Sequence, residues 1–333
     1  MEFRELVLSE IKLFGLGNAL VDLEYVVTDE QLHSLKLEKG LMTLIDEQRN
    51  SELSSTNFDI HKQAGGGSAA NTVFGFSQLG GRGYYSCKVA NDKNGDVFIN
   101  DLNNEGISHL YESSSSPFTG TTGTCRVFVT PDGERTMQTY LGITQTYGVE
   151  QLDLTKLKEA EMIYVEGYLV ASPTALEACK KAIEVAKENG IRVALTLSDP
   201  SMPTYFKDAV DSLLGLGVDI LFGNEEEIKI VTGEDSLDKA FEFLQSRVKL
   251  LVVTQGAEGA SAFSSNEVQS VPGEKVECID TLGAGDLFAG AFLYGHLHGK
   301  SLKASLELGV KCSGRLVEVR GPRLTKEEIL KLK

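Results

Sequence analysis

In the central and C-terminal parts of the chain, short apolar runs alternate with stretches whose apolar positions recur every three or four residues. Residues 162–165 read as a strand, and Ser172-Pro173 then supplies an N-cap followed by proline at the first helical position. The helix it opens carries Leu176, Cys179, Ile183 and Ala186 on one face. Gly190 ends it, and 191–197 form the next strand. The run 218–222, the helical stripe Leu237, Phe241 and Leu244, and the run 249–254 continue the rhythm, and Thr325 and Glu328 form a capping box for a last helix. Strands alternating with crossover helices predict an α/β fold: a mostly parallel sheet with helices on both faces. In such a sheet ligands gather at the carboxyl ends of the strands.

Two segments, 23–64 and 111–145, break this rhythm. They are polar and rich in Thr, Ser and turn residues, with short alternating runs such as 125–129. A Pro131-Asp132-Gly133 turn followed by residues 135–140 predicts a hairpin. The expected organisation is a large α/β domain from 1–22, 65–110 and 146–333, with 23–64 and 111–145 forming a small inserted β-sheet.

With 333 residues, 41% of them hydrophobic, the chain can bury a large core. Its 48 acidic against 32 basic residues give a net charge of −16, which argues against a nucleic-acid partner. No run of about 18 apolar residues suggests a membrane span. The first residues lack a basic-then-apolar leader pattern, and the five cysteines are scattered without a Cys-x-x-Cys pair. Both features lead to the expectation of a reducing, cytoplasmic setting. His296-x-His298 has no nearby partners for a metal site.

The chemistry concentrates in glycine turns. Asp280-Thr281-Leu282-Gly283-Ala284-Gly285-Asp286 follows a strand-like run at 276–279 and leads into a helix. The amides of Gly283, Ala284 and Gly285 would lack intrahelical partners there, and the helix dipole adds positive charge, making an anion site. Asp286, in the first turn, is placed to act as a general base on an attacking hydroxyl. The plain structural alternative is a tightly packed helix start with an acid for the dipole. Gly65-Gly66-Gly67 brings backbone close to a ligand, with Asn71 about one turn into the following helix; a hinge would use the same glycines. Asn18 and Asp22, at the end of the first strand-like run, can hydrogen-bond ligand hydroxyls or cap a turn. Asn224 and Glu227 share a helix face and can hold a hydrated Mg²⁺, or can simply cap that helix. Thr254-Gln255-Gly256 ends a strand where a nucleotide can lie. Gly15-x-Gly17 lacks the third glycine of a dinucleotide fingerprint, and Gly295 to Ser301 misses a P-loop by one residue and follows a helix.

These pieces, in this order, resemble the PfkB (ribokinase-like) family of carbohydrate and nucleoside kinases over nearly the whole chain. Within it the chain looks most like the adenosine kinases, through Gly17 to Asp22, Thr121 to Cys125, Leu221 to Glu225 and Thr254 to Gly256. The resemblance implies a ribokinase-like fold whose small sheet is a lid, with ATP as cosubstrate and Mg²⁺ as cofactor. It implies Asp286 as catalytic base and the amides of Gly283, Ala284 and Gly285 as the hole for the transferred phosphoryl group. Asp22, Gly66, Gly67 and Asn71, joined by Asn18, would hold the acceptor. Asn224 and Glu227 would organise phosphate and Mg²⁺, Glu227 through water, while Thr254 and Gly256 would line the ATP site. Arg135, in the lid hairpin, would bring a cation to the phosphates. The implied reaction is ATP-dependent phosphorylation of a primary hydroxyl on a small molecule, adenosine to AMP first. The alternatives are a sugar kinase of the ribokinase, fructokinase or 2-keto-3-deoxygluconate kinase type, and a non-catalytic sensor on the same fold. Phe118, Phe128, Tyr140 and Tyr168 are candidates to sandwich a purine. A monomer or a homodimer through the lid is expected.

Overall fold

In the computed structural model, which describes residues 11–56, 58–111 and 116–333, the strand-forming runs assemble into two sheets. Residues 1–10, 57 and 112–115, assigned above to the large domain and the lid, lie outside the described residues. The large sheet has nine strands in the order Val268–Val271, Ala260–Ser264, Val248–Thr254, Val218–Asn224, Arg192–Thr196, Ala160–Val165, Ile11–Leu16, Gly83–Ser86 and Ser108–His109. Ala260–Ser264 pairs antiparallel with both its neighbours, and all the other pairs are parallel. Alternate side chains feed two separate cores. Phe14, Ile163, Val193, Leu221 and Leu251 pack under the Pro173–Glu188 helix, whose buried face carries Cys179 and Ile183. Leu13, Met162, Ala194, Ile220 and Val252 face the Ser68–Gln78 and Ala284–Leu297 helices on the other side. Burial on both faces is why these strands read as continuous apolar runs.

The small sheet has five strands in the order Met42–Leu44, Arg135–Gly142, Thr122–Val129, Leu20–Val26 and Lys62–Gly66. Gly133, at φ +85°, turns the expected hairpin. Val21, Leu23 and Tyr25 point into the core shared with Leu32 and Leu53 of two short helices. The opposite face carries Leu20, Asp22 and Glu24, with Cys125 and Val127 beside them. The strands Leu20–Val26 and Lys62–Gly66 reach just outside 23–64, and the first strand of the later segment begins at Thr122.

One expected element is absent. Residues 276–279 form no strand; the amides of Ile279 and Asp280 both donate to the Val317 carbonyl, at 2.7 and 3.1 Å. The segment crosses the end of the Leu302–Leu316 helix instead of joining a sheet, and Ile279 stays 54% exposed.

Candidate active site

A cleft of about 800 Å³ opens between the two sheets. Its floor is made from the carboxyl ends of parallel strands: Asn18, Glu166, Ser198, Asn224 and Thr254 all line it. The start of the Ala284–Leu297 helix forms one wall, with Gly283, Ala284, Gly285 and Asp286. The roof is the inner face of the small sheet: Leu20, Met42, Leu44, Val127, Met137 and Leu141. Met42 and Leu44 remain 50% and 62% exposed, leaving an uncovered apolar rim over the cleft.

Asp286 is the best-supported chemical centre. The Ser68–Gln78 and Ala284–Leu297 helices pack side by side and bring their N-terminal turns together. Ser68 Oγ donates to Asp286 Oδ1 at 2.7 Å, and Asn71 Nδ2 donates to Oδ2 at 3.1 Å. Burial nevertheless dominates, raising the carboxyl to about 6 against these two donors and the nearby Arg323. Asp22 is likewise raised to about 6 by burial, with Arg323 and Arg135 pulling the other way. Gly66 has no room for a side chain because an added Cβ would sit 2.5 Å from both Asp22 carboxylate oxygens.

The anion site differs in detail from expectation. Gly283 takes φ +74°, and the Ala284 amide donates back to the Thr281 carbonyl at 3.2 Å. Among the described residues no acceptor meets the amides of Gly283 and Gly285. Nothing lies within 4 Å of a Cβ added at Gly285, so the turn is open towards the cleft. Asn224 and Glu227 form a reciprocal capping box: Asn224 Oδ1 accepts from the Glu227 amide at 2.8 Å, and Asn224 Nδ2 donates to Glu227 Oε1 at 2.7 Å. The capping reading therefore holds for this pair, which also lines the cleft. Glu227 is 5% exposed and is raised to about 7, first by burial.

Three of the expected residues do not line the cleft. Gly66 backs Asp22, Gly256 begins a short turn beyond Thr254, and Arg135 is held elsewhere. Arg135 Nη1 lies 2.5 Å from Asp280 Oδ2 and Nη2 lies 3.8 Å from Glu24. Asp280 in turn accepts the amides of Leu282 and Gly321. Arg135 thus ties the small sheet to the first residue of the glycine turn, a partner that separation in sequence concealed. Of the aromatic candidates, Tyr168 lines the cleft, while Phe128 stacks on Tyr25 inside the small layer and Phe118 packs on Tyr111.

Sequence reading missed Ser68, Glu166 and Arg323. Glu166 is 1% exposed and accepts from Asn18 Nδ2 at 2.8 Å, from the Asn18 amide at 3.3 Å and from the Ala69 amide at 2.9 Å. Burial raises it to about 7. Ser68 directly follows the three glycines, and Glu166, just past the end of a strand as a lone acid among apolar neighbours, is the available signal for a buried carboxyl.

Comparison with known proteins gives the family and the fold's relatives. Residues 39–329 match the family model described as pfkB family carbohydrate kinase. The chain is 28% identical to the adenosine kinase of Saccharomyces cerevisiae over 341 residues, covering 95% of this chain and 98% of that one. It is 30% identical to the 5-dehydro-2-deoxygluconokinase of Clostridium beijerinckii over 265 residues, 76% of this chain and 78% of the other. The crystal structure of adenosine kinase from Sinorhizobium meliloti superposes with a TM-score of 0.85 at 34% identity, covering 97% of this chain and 98% of that chain. With its ribokinase-like pair of sheets, the chain belongs to the pfkB family of carbohydrate kinases, phosphotransferases that act on hydroxyl acceptors.

Proposed function

We propose that this ATP-dependent kinase phosphorylates the primary hydroxyl of a nucleoside, adenosine foremost. The observation that carries the reading is the division of the cleft lining into a polar set and a broad aliphatic patch on the small sheet. Asn18 and Asn71 below, with Asp22 and Thr139 on the small sheet, offer donors and acceptors suited to ribose hydroxyls, whereas Leu20, Met42, Leu44, Val127, Met137 and Leu141 form an aliphatic patch that offers none. A flat nucleobase covers such a patch favourably, at about 25 cal/mol per Å² of apolar surface buried. A free sugar would turn unsatisfied hydroxyls towards it, which is costly. The adenosine kinases among the relatives favour the same reading, and the gluconokinase relatives keep a sugar acceptor as the second.

PfkB kinases use ATP with Mg²⁺. The donor set fits: Mg²⁺ usually takes one or two protein carboxylates and completes its shell with water and phosphate, and Glu227 beside Asn224 faces the cleft that the glycine turn enters. No cluster of three or more His, Cys, Asp or Glu among the described residues would enclose the ion by itself. When bound there, Mg²⁺ neutralises phosphate charge. The open amides of Gly283 and Gly285 take up charge on the transferred group, and Asp286 accepts the proton of the attacking hydroxyl. Positioning and electrostatics supply most of the rate in such a transfer.

The acceptor test is ADP release with Mg-ATP against adenosine, other nucleosides, ribose, fructose and 2-keto-3-deoxygluconate. Turnover with adenosine and little with free sugars is expected. Turnover with a free sugar alone would overturn the acceptor assignment, and ligand binding without ADP release across the panel would favour a sensor.

The base assignment predicts a pH profile. Asp286 works only as the carboxylate, and burial raises it to about 6. Activity should therefore be full above that value and lost as pH falls through it, by about tenfold per unit well below. Asp22, also raised to about 6, contributes to the same limb through acceptor binding. A kcat/KM that stays flat down to about pH 4.5 would contradict the assignment.

A further inference from the structure

Arg323 enters the site from the segment between the Leu302–Leu316 and Lys326–Leu330 helices. Its guanidinium lies over the Phe74 ring, 3.5 Å from the centroid. Nε donates to Asn71 Oδ1 at 2.9 Å. That bond decides how the Asn71 amide faces, because the flipped amide would oppose two donors. With Oδ1 on Arg323, Nδ2 is left to donate to Asp286 at 3.1 Å. Nη1 lies 3.8 Å from Asp101, which also accepts the Gly65 amide at 2.6 Å. Nη2 is buried without a partner. An orphaned donor of this kind is unfavourable, so packing alone does not account for an arginine here.

We propose that Arg323 is a positioning residue of the phosphoryl transfer: it locks the Asn71 amide onto Asp286 and sets a fixed cation beside the carboxylates of the desolvated cleft. The inference rests on the kinase reading above, with Asp286 as base. The charge balance around these groups supports it. Asp286 interacts with Asp22, Glu166, Tyr164 and Tyr168, all acidic groups, and among the described residues Arg323 is the cation acting on it. Asp22 additionally feels Arg135 and Lys62. Arg323 itself faces Asp101, Asp22, Tyr85 and Asp286. A single guanidinium bonds Asn71 through Nε and faces, through Nη1, the Asp101 carboxylate that holds the Gly65 amide, a forked reach that lysine lacks.

The test compares wild type, Arg323→Met and Arg323→Lys in kcat, KM for the acceptor and pH dependence, alongside thermal midpoints. Arg323→Met should lower kcat by on the order of a hundredfold, the effect of a misplaced reacting group. It should also move the acid limb of kcat/KM upward by about one pH unit, because a carboxylate that loses a nearby cation is protonated more readily. Arg323→Lys should keep the limb close to its wild-type position while kcat stays lowered, since the charge remains and the Asn71 lock is lost. An Arg323→Met enzyme that is merely less heat-stable, with kcat and the limb unmoved, would overturn the proposal. If that variant does not fold, Arg323→Lys decides: wild-type kcat there would overturn it, and a lowered kcat with an unmoved limb would support it. Wild type without turnover on any acceptor would instead remove the kinase reading on which the proposal depends.

Discussion

Asp286→Asn is expected to lower turnover by about 10²–10⁴, the range typical of losing a positioned general base, while acceptor binding survives. The amide keeps the shape of the carboxylate but cannot accept the proton. It also cannot reproduce both hydrogen bonds unchanged. If its oxygen stays on Ser68 Oγ, its NH₂ meets Asn71 Nδ2, a second donor, where the wild-type carboxylate accepted at 3.1 Å. Asn71 would then have to turn away from Arg323 or separate from residue 286. The other acceptor groups, Asn18 held by Glu166 and Asp22 against Gly66, are untouched. Calorimetric binding of the acceptor beside steady-state ADP release separates the two effects. Near-normal turnover would remove Asp286 from the base role, and loss of binding with turnover would show a structural one.

The second large effect is expected at Gly290→Ala. Gly290 lies one turn below Asp286, and Thr72 lies one turn below Ser68, so this is the packing point that holds the two N-terminal turns together. A Cβ added at Gly290 would sit 2.4 Å from the Thr72 carbonyl oxygen and 3.1 Å from the Phe76 amide nitrogen. Both are helix backbone atoms, so no flexible side chain can move aside and the helices must part. Overpacking of this kind costs about 1–3 kcal/mol. A shift on the order of 1 Å between Asp286 and its partners costs about a hundredfold in rate. A lower thermal midpoint together with that loss of kcat is expected. Wild-type kcat in a destabilised variant would show that the helix contact sets stability but not the base geometry.

Much of this was legible because it is local. The Ser172-Pro173 helix start, the Thr325–Glu328 capping box and the Pro131–Gly133 hairpin each depend on residues within a few positions of one another, and each is present. Contiguous glycine turns carry their chemistry with them in the same way, so the Gly65–Asn71 and Asp280–Asp286 stretches are recognisable without a fold. Residues 276–279 misled because an apolar alternation states only that side chains point two ways. It does not say whether a strand or a helix end receives their amides, and here Val317 does.

Residue types and short spacing thus determined the α/β class, the inserted sheet, the glycine turns and the identity of the candidate base. Only the tertiary structure decided what those groups meet. Asn71 and Arg323 are 252 positions apart, Ser68 and Asp286 218 apart, and Asn18 and Glu166 148 apart. Such pairs leave no periodicity in the chain, because crossover helices and sheet order choose them after the local elements form. The same holds for protonation: a carboxyl is raised by the water it loses and the charges that approach it. Both depend on which distant segments close over Asp22, Glu166 and Asp286.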